Sequence, residues 1–342
     1  LIIPVFYLYH IGHSILISKY KYHLSKLFAV LVVLLCIIFA YLLKNLGRLG
    51  IIISYSLSYL IVAAIVLYIT RKKISQMLLR LRLRFSALAE YSKKAVFVSL
   101  LTISFTFLYW TDSIILGILS SFENVAKYNI AGHMSNIITI IPISLSLFLL
   151  NRSAEYDQNP EHKKWSFGVL NRNLRISFAF TLLLAVIINS LLFPLISTFF
   201  PKYIGIEVFV MILSTGLVFY SIYNLIYVYL TGKLKPEKAF LPIITAAILN
   251  IVLDIILIPI AGLYGIVIAT LIAHFIAFAW LVKKMDLTKY YYIYLLIPFI
   301  PLSYYLRAYG LILLVIILPL LFCFRLIEKG DIVAISEALE KH

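Results

Sequence analysis

"GLYGIVIATLIAHFI", from Gly262 to Ile276, matches "GRLGIIISYSLSYLI", from Gly47 to Ile61, at a constant offset of 215. Five of the fifteen positions are identical, and each stretch places Gly-x-x-Gly in a short turn before a helix that ends in a basic segment. Apolar sequences match by chance easily. The same place in the alternation of loops is a stronger sign, and we read an internal repeat. Six spans separate the two copies, so the repeat is parallel, its halves related by an axis along the membrane normal.

Composition agrees with spans in lipid. Hydrophobic residues make up 63% of the 342 residues, charged residues only 13%, and mean hydropathy is +1.03. A crossing helix needs about 20 apolar residues. On that rule eleven spans are expected near 1–18, 24–46, 49–70, 94–119, 124–150, 174–199, 207–231, 238–260, 262–282, 290–306 and 308–326. Unbroken apolar runs of this length read as helices, since only helices and closed barrels satisfy their backbone in hydrocarbon. The expected fold is an all-α polytopic transmembrane helix bundle.

The formal charge of +16 is mostly a topology signal. Alternate loops and the C-terminal tail hold 25 of the 30 basic residues, and the other side holds Lys44, Arg48, Lys127, Lys202 and Arg307. Basic residues accumulate in cytoplasmic loops, so the C-terminus is expected in the cytoplasm and the protein in the cell membrane. The basic residues lie between apolar runs rather than on one surface, which argues against nucleic acid. Cys36 and Cys323 fall inside apolar runs with neither disulfide nor metal-ligand spacing. No basic region precedes a short apolar core at Leu1, so no signal peptide is read there.

With the repeat in hand, the expected domains are 1–70, three helices of a first lobe; 71–93, a basic amphipathic cytoplasmic linker suited to anionic headgroups; 94–283, a six-helix second lobe; 284–326, two additional helices; and 327–342, a cytoplasmic tail. The counterparts of the fourth to sixth spans would then precede Leu1. The chain by itself is expected not to transport.

A second stretch makes the reading specific. "DSIILGILSSFENVAKYNIA", following an apolar helix, resembles the signature of the polysaccharide-biosynthesis flippases, in the multidrug/oligosaccharidyl-lipid/polysaccharide exporter superfamily. Its matching residues are Asp112, Leu116, Gly117, Ser120, Glu123, Tyr128 and Ala131. "LFPLISTFFPKYI", "ILNIVLDIILIPIAGLYGIVIAT" and "EKGDIVAISEAL" add to the likeness, while Ala126-Lys127 stands where the family has a Gly before Tyr-x-x-Ala. The resemblance implies about fourteen helices in two pseudo-symmetric lobes plus two C-terminal helices, eleven of them here. It also implies lipid-diphosphate-binding cations on the helices that would precede Leu1.

Such a transporter needs a water-filled cavity with polar and aromatic groups for a glycan. On the fifth span Asn129, His133 and Asn136 share one helix face; they line the cavity or pair helices. On the seventh, Tyr220, Tyr223, Asn224 and Tyr227 share a face suited to sugar rings, or to ordinary packing. On the eighth, Asn250 and Asp254 lie one turn apart, while their repeat counterparts are Leu35 and Phe39. A scaffold requirement would appear in both halves, so a site-specific role is favoured over helix pairing. His274 and its counterpart Tyr59 read as buried hydrogen-bonding residues. Asp112 is a functional candidate by default. It either pairs in one state with a cation such as Lys127 or a coupling ion, or is a helix-end carboxylate bonded to the next turn; Lys127 reads otherwise as an interface anchor.

The expected function is a secondary transporter that flips a lipid-linked (polyprenyl or dolichyl) oligosaccharide or polysaccharide unit by alternating access. Its partners would be that substrate, membrane lipids and a coupling ion, H⁺ or Na⁺, with no cofactor. The alternative is a cation-coupled multidrug or metabolite exporter of the same superfamily. A membrane glycosyltransferase or ligase is disfavoured, since no catalytic triad, phosphate loop or metal spacing is found and the external loops are short.

Overall fold

The computed structural model describes residues 9–10, 14, 16, 22–80, 85–158, 163–287, 293–324 and 326, and every regular element among them is helical. The helices are α1 (Tyr22–Leu42), α2 (Gly47–Arg80), α3 (Phe85–Leu119), α4 (Phe122–Asn136), α5 (Ile140–Gln158), α6 (Lys163–Phe199), α7 (Glu207–Gly232), α8 (Glu237–Ala261), α9 (Leu263–Lys284), α10 (Phe299–Leu306) and α11 (Leu313–Cys323). A four-residue helical turn, Ile293–Leu296, precedes α10. The 3-10 stretch Ile137–Thr139 joins α4 to α5, so Phe122–Glu155 is one span.

Among the described residues seven helices are long and apolar enough to cross a bilayer, and eight when Ser92–Leu108 and Trp110–Leu119, bent by 41° within α3, count as one. The protein is a multi-pass helical membrane protein. The expected span near 1–18 lies mostly outside the described residues, and that near 24–46 is a shorter apolar helix, Lys26–Leu42. The two expected at 290–306 and 308–326 fall together in Phe299–Cys323, which turns at Arg307. The chain divides into two compact units, Leu1–Leu88 and Ala89–His342, at a point inside the 71–93 segment.

Within the first unit, α1 and α2 form a hairpin around Gly47, whose φ of 57° and ψ of −130° are open to glycine. Phe28, Val32, Val62 and Val66 are buried between the two helices. The second unit repeats the device: Gly262, with φ 55° and ψ −126°, turns α8 into α9. Three residues on, Gly50 and Gly265 lie against the preceding helix, where an added Cβ would sit 2.2 Å from the Leu43 carbonyl oxygen and 2.3 Å from that of Leu257. The repeat read at an offset of 215 is therefore a repeated turn. The third use of that turn is at Arg307, φ 51° and ψ −135°, with Gly310 packed on Ser303.

In the second unit α7 is central, with Val218, Ile222, Leu225, Ile226 and Leu230 buried. By contrast α8 turns Val252, Ile255, Ile256 and Ile260 outward, as a lipid-facing helix does. Several buried polar side chains bond within their own helix, because lipid offers them no partner. Thus Asn173, Thr181, Asn189 and Ser190 of α6 each donate to the carbonyl four residues back. Ser121 caps α4 by accepting from Asn124 N–H at 3.2 Å, which fixes the turn between α3 and the helix carrying Tyr128.

Candidate functional site

Asp112 lies on α3, seven residues before its end at Leu119, and is 1% exposed. It is neither paired with Lys127 nor bonded to the next turn. Tyr128 of α4 donates its hydroxyl to Asp112 Oδ2, and Thr270 Oγ1 of α9 lies 2.9 Å from the same oxygen. Lys127 instead meets Glu123 at 2.8 Å across one helical turn, an exposed pair of small energetic weight. The reason is angular. Tyr128 and Lys127 are adjacent on α4 and so point about 100° apart, and only Tyr128 faces α3.

Asp254 of α8 faces the same place, close enough to act electrostatically on both Asp112 and Tyr128. Asp254 and Asn250, one turn earlier, have no exposed surface. Both Asp254 carboxyl oxygens, Asp112 Oδ1 and both polar atoms of the Asn250 side chain lack a hydrogen-bond partner. Two adjacent buried carboxyl groups with several orphaned oxygens are costly unless a proton or a cation joins them. The donors are all hard oxygens, the set that suits a small alkali or alkaline-earth cation rather than a transition metal. Among the described residues no group of three or more His, Cys, Asp or Glu side chains gathers for a metal.

Two adjoining hollows of about 200 and 490 Å³ lie beside this cluster and form one groove, since both are lined by Leu108, Trp110, Asn136, Leu217 and His274. Asn129, His133 and Asn136 all line it, as their spacing on one face of α4 requires. Asn129 is held by Ser113, whose hydroxyl lies 2.8 Å from Asn129 Oδ1. Tyr128 and Thr270 also line the groove. The carboxyl pair is thus one hydrogen bond behind the groove wall.

The tyrosine face of α7 is divided. Tyr220 lines the groove; Tyr223 borders it but has no exposed surface, stacks on Phe105 at 6.0 Å and shares a 2.9 Å hydrogen bond with His274 Nδ1. Tyr227 packs on Phe105 at 5.1 Å, and neither it nor Asn224 is in the lining. Packing on Phe105 of α3 thus engages Tyr223 and Tyr227. His274 is the buried hydrogen-bonding residue expected of it.

Sequence reasoning missed Thr270 and the part played by Tyr128. A signal existed for Thr270: its repeat counterpart is Tyr55, the same asymmetry that singled out Asn250 and Asp254. For Tyr128 the motif marked the position but not its partner.

A buried acidic pair backing a polar groove thus lies inside a helical bundle of membrane-spanning segments. Solved structures supply particular likenesses of fold. The lipid II flippase MurJ in an inward closed conformation superposes with a TM-score of 0.66 at 17% identity, over 96% of this chain and 72% of that one. A MATE protein in the straight conformation gives 0.58 at 16% identity, over 82% of this chain and 67% of that one. In sequence, the uncharacterized membrane protein MJ1068 of Methanocaldococcus jannaschii is 27% identical over 247 residues. That match takes in 67% of this chain and 47% of the relative, so the chain spans about half the relative's length. No protein-family profile matches the chain.

Proposed function

We propose that the protein is a cation-coupled secondary transporter that flips a lipid-linked oligosaccharide across the membrane. One observation carries this reading: Tyr128 and Thr270 line the groove and also hold Asp112. A solute in the groove and a cation at the carboxyl pair would therefore compete for, or share, the same two hydroxyls. That is the differential contact through which one ligand shifts the population of states seen by another. Asp112, Asp254, Asn250 and Thr270 are the residues that would hold a sodium ion or a proton, which would neutralise the acidic pair. The groove's Asn129, His133, Asn136 and Tyr220 offer hydrogen-bonding groups and one aromatic face to a glycan. The signature around Asp112 and the fold likeness to a lipid II flippase support the lipid-linked substrate.

The test is translocation of a preformed, fluorescent polyprenyl-linked oligosaccharide in vesicles holding the protein at its full natural length. The label should become accessible in the opposite leaflet faster with a sodium or proton gradient than without one. A second reading, export of small cationic compounds, rests on the fold likeness to a MATE protein. Gradient-driven movement of such a compound with no movement of the glycan would replace the first reading by the second.

The orientation is part of the proposal, with the basic-rich loops and the C-terminus cytoplasmic. Cysteine at Ser86 and at Ser121, in a background lacking Cys36 and Cys323, should label from opposite sides with an impermeant thiol reagent. Labelling of both from one side would reverse part of the topology.

A further inference from the structure

A separate hollow of about 260 Å³ lies beside the C-terminal end of α6, bounded by Asn189, Phe193, Glu207, Tyr304, Tyr305 and Arg307. Its polar groups are built in. Glu207 is 6% exposed; its Oε2 accepts the Gly205 N–H at 2.6 Å and its Oε1 has no partner. Asn189 is 2% exposed and donates through Nδ2 to Ala185 O and Ser214 Oγ, leaving Oδ1 without a partner. Two buried acceptors on residues that line a cavity are left unsatisfied, which is costly unless a donor occupies it.

Arg307 bounds the same hollow with the opposite charge. Its guanidinium lies 4.2 Å over the Phe193 ring, and no carboxylate pairs with it among the described residues. The backbone makes the choice of residue informative. Arg307 occupies, at φ 51°, the turn position filled by glycine in both other hairpins, so arginine is kept there against a local conformational cost. The Tyr304 side chain lies within electrostatic reach of both Glu207 and Arg307.

We propose that this hollow binds a zwitterionic headgroup bearing a primary ammonium and a phosphate, as in an aminophospholipid. The ammonium's N–H groups go to Glu207 Oε1 and Asn189 Oδ1 beside the Tyr304 ring, and the phosphate goes to Arg307. Opposite charges that face one cavity without meeting suit a ligand whose own charges are separated. The hollow lies where spans end and apolar side chains remain exposed: Phe199, Phe200, Ile204, Leu306 and Ile312. Acyl chains have a surface to follow from it. Lys202 and Arg307 are also two of the five basic residues on the basic-poor side, and both lie in turns at this end.

Native mass spectrometry of the purified protein, after equilibration with phosphatidylethanolamine, phosphatidylcholine or phosphatidylglycerol, reads the headgroup directly. Phosphatidylethanolamine should be retained about tenfold more than phosphatidylcholine, which lacks ammonium donors, or phosphatidylglycerol, which lacks the cation. Glu207→Gln, which keeps the shape, and Arg307→Gly, which the turn favours, should each bring retention to parity. Adding free phosphoethanolamine separates the sources: a lipid site resists it, whereas displacement assigns the same chemistry to a soluble ligand. Equal retention of the three lipids by the unmodified protein, or preference unchanged in both variants, overturns the proposal.

Discussion

Replacing Asp254 or Asp112 with asparagine should lower gradient-driven transport at least about 100-fold, since losing even a supporting partner of an ion's ligand costs about 10–100-fold in affinity. Each substitution keeps the side-chain shape and removes one of the two carboxyl groups that leave oxygens orphaned behind the groove. Neither should destabilise the fold. Removing one of two adjacent buried carboxylates relieves repulsion, so the thermal midpoint should stay level or rise. Thr270→Val tests the same site from the other helix and should cost less, because Tyr128 still donates to Asp112 Oδ2. Transport measured against a sodium gradient and a proton gradient, alongside thermal melting, checks all three. If both asparagine variants move substrate at the unmodified rate under either gradient, the acidic pair is structural.

Gly265→Ala and Gly117→Ala, the same change on neighbouring helices, should have opposite effects on stability. At Gly265 the new methyl would lie 2.3 Å from Leu257 O and 2.5 Å from its carbonyl carbon. Backbone cannot rotate away as a side-chain tip can. The α8–α9 turn must open, at about 1–3 kcal/mol or more for forced overpacking. Gly117 is in the motif that flanks Asp112, and its added methyl would meet only Val125 Cγ2 at an ordinary 3.7 Å. Alanine there gains about 1 kcal/mol of helix propensity. Unfolding in detergent, followed by loss of monodisperse protein on heating, reads both. A Gly265→Ala protein as stable as the parent would mean the turn is not the rigid element described.

Much of the architecture was legible along the chain. Apolar runs of the length that lipid demands gave the helical bundle, because hydrocarbon leaves the backbone few other options. Gly47 and Gly262 gave the hairpins, because a one-residue reversal with positive φ selects glycine. The face shared by Asn129, His133 and Asn136 followed from helix periodicity and does line a groove. The break expected between 290–306 and 308–326 falls at Arg307, which makes with a charged residue the turn that glycine makes elsewhere.

What the sequence by itself determined is local: which segments enter the membrane, where they reverse, and that Asp112 and Asp254 would be buried in helices. Only the tertiary structure decided what those aspartates meet. Asp112 is 16 residues from Tyr128, 142 from Asp254 and 158 from Thr270, and three separate helices bring those groups to it. Periodicity fixes a residue's face on its own helix. The rotation of one helix against another is fixed by packing side chains that are nearly all apolar, and no short motif records it. Lys127 and Tyr128 are adjacent in the chain, and packing turned the tyrosine rather than the lysine toward Asp112.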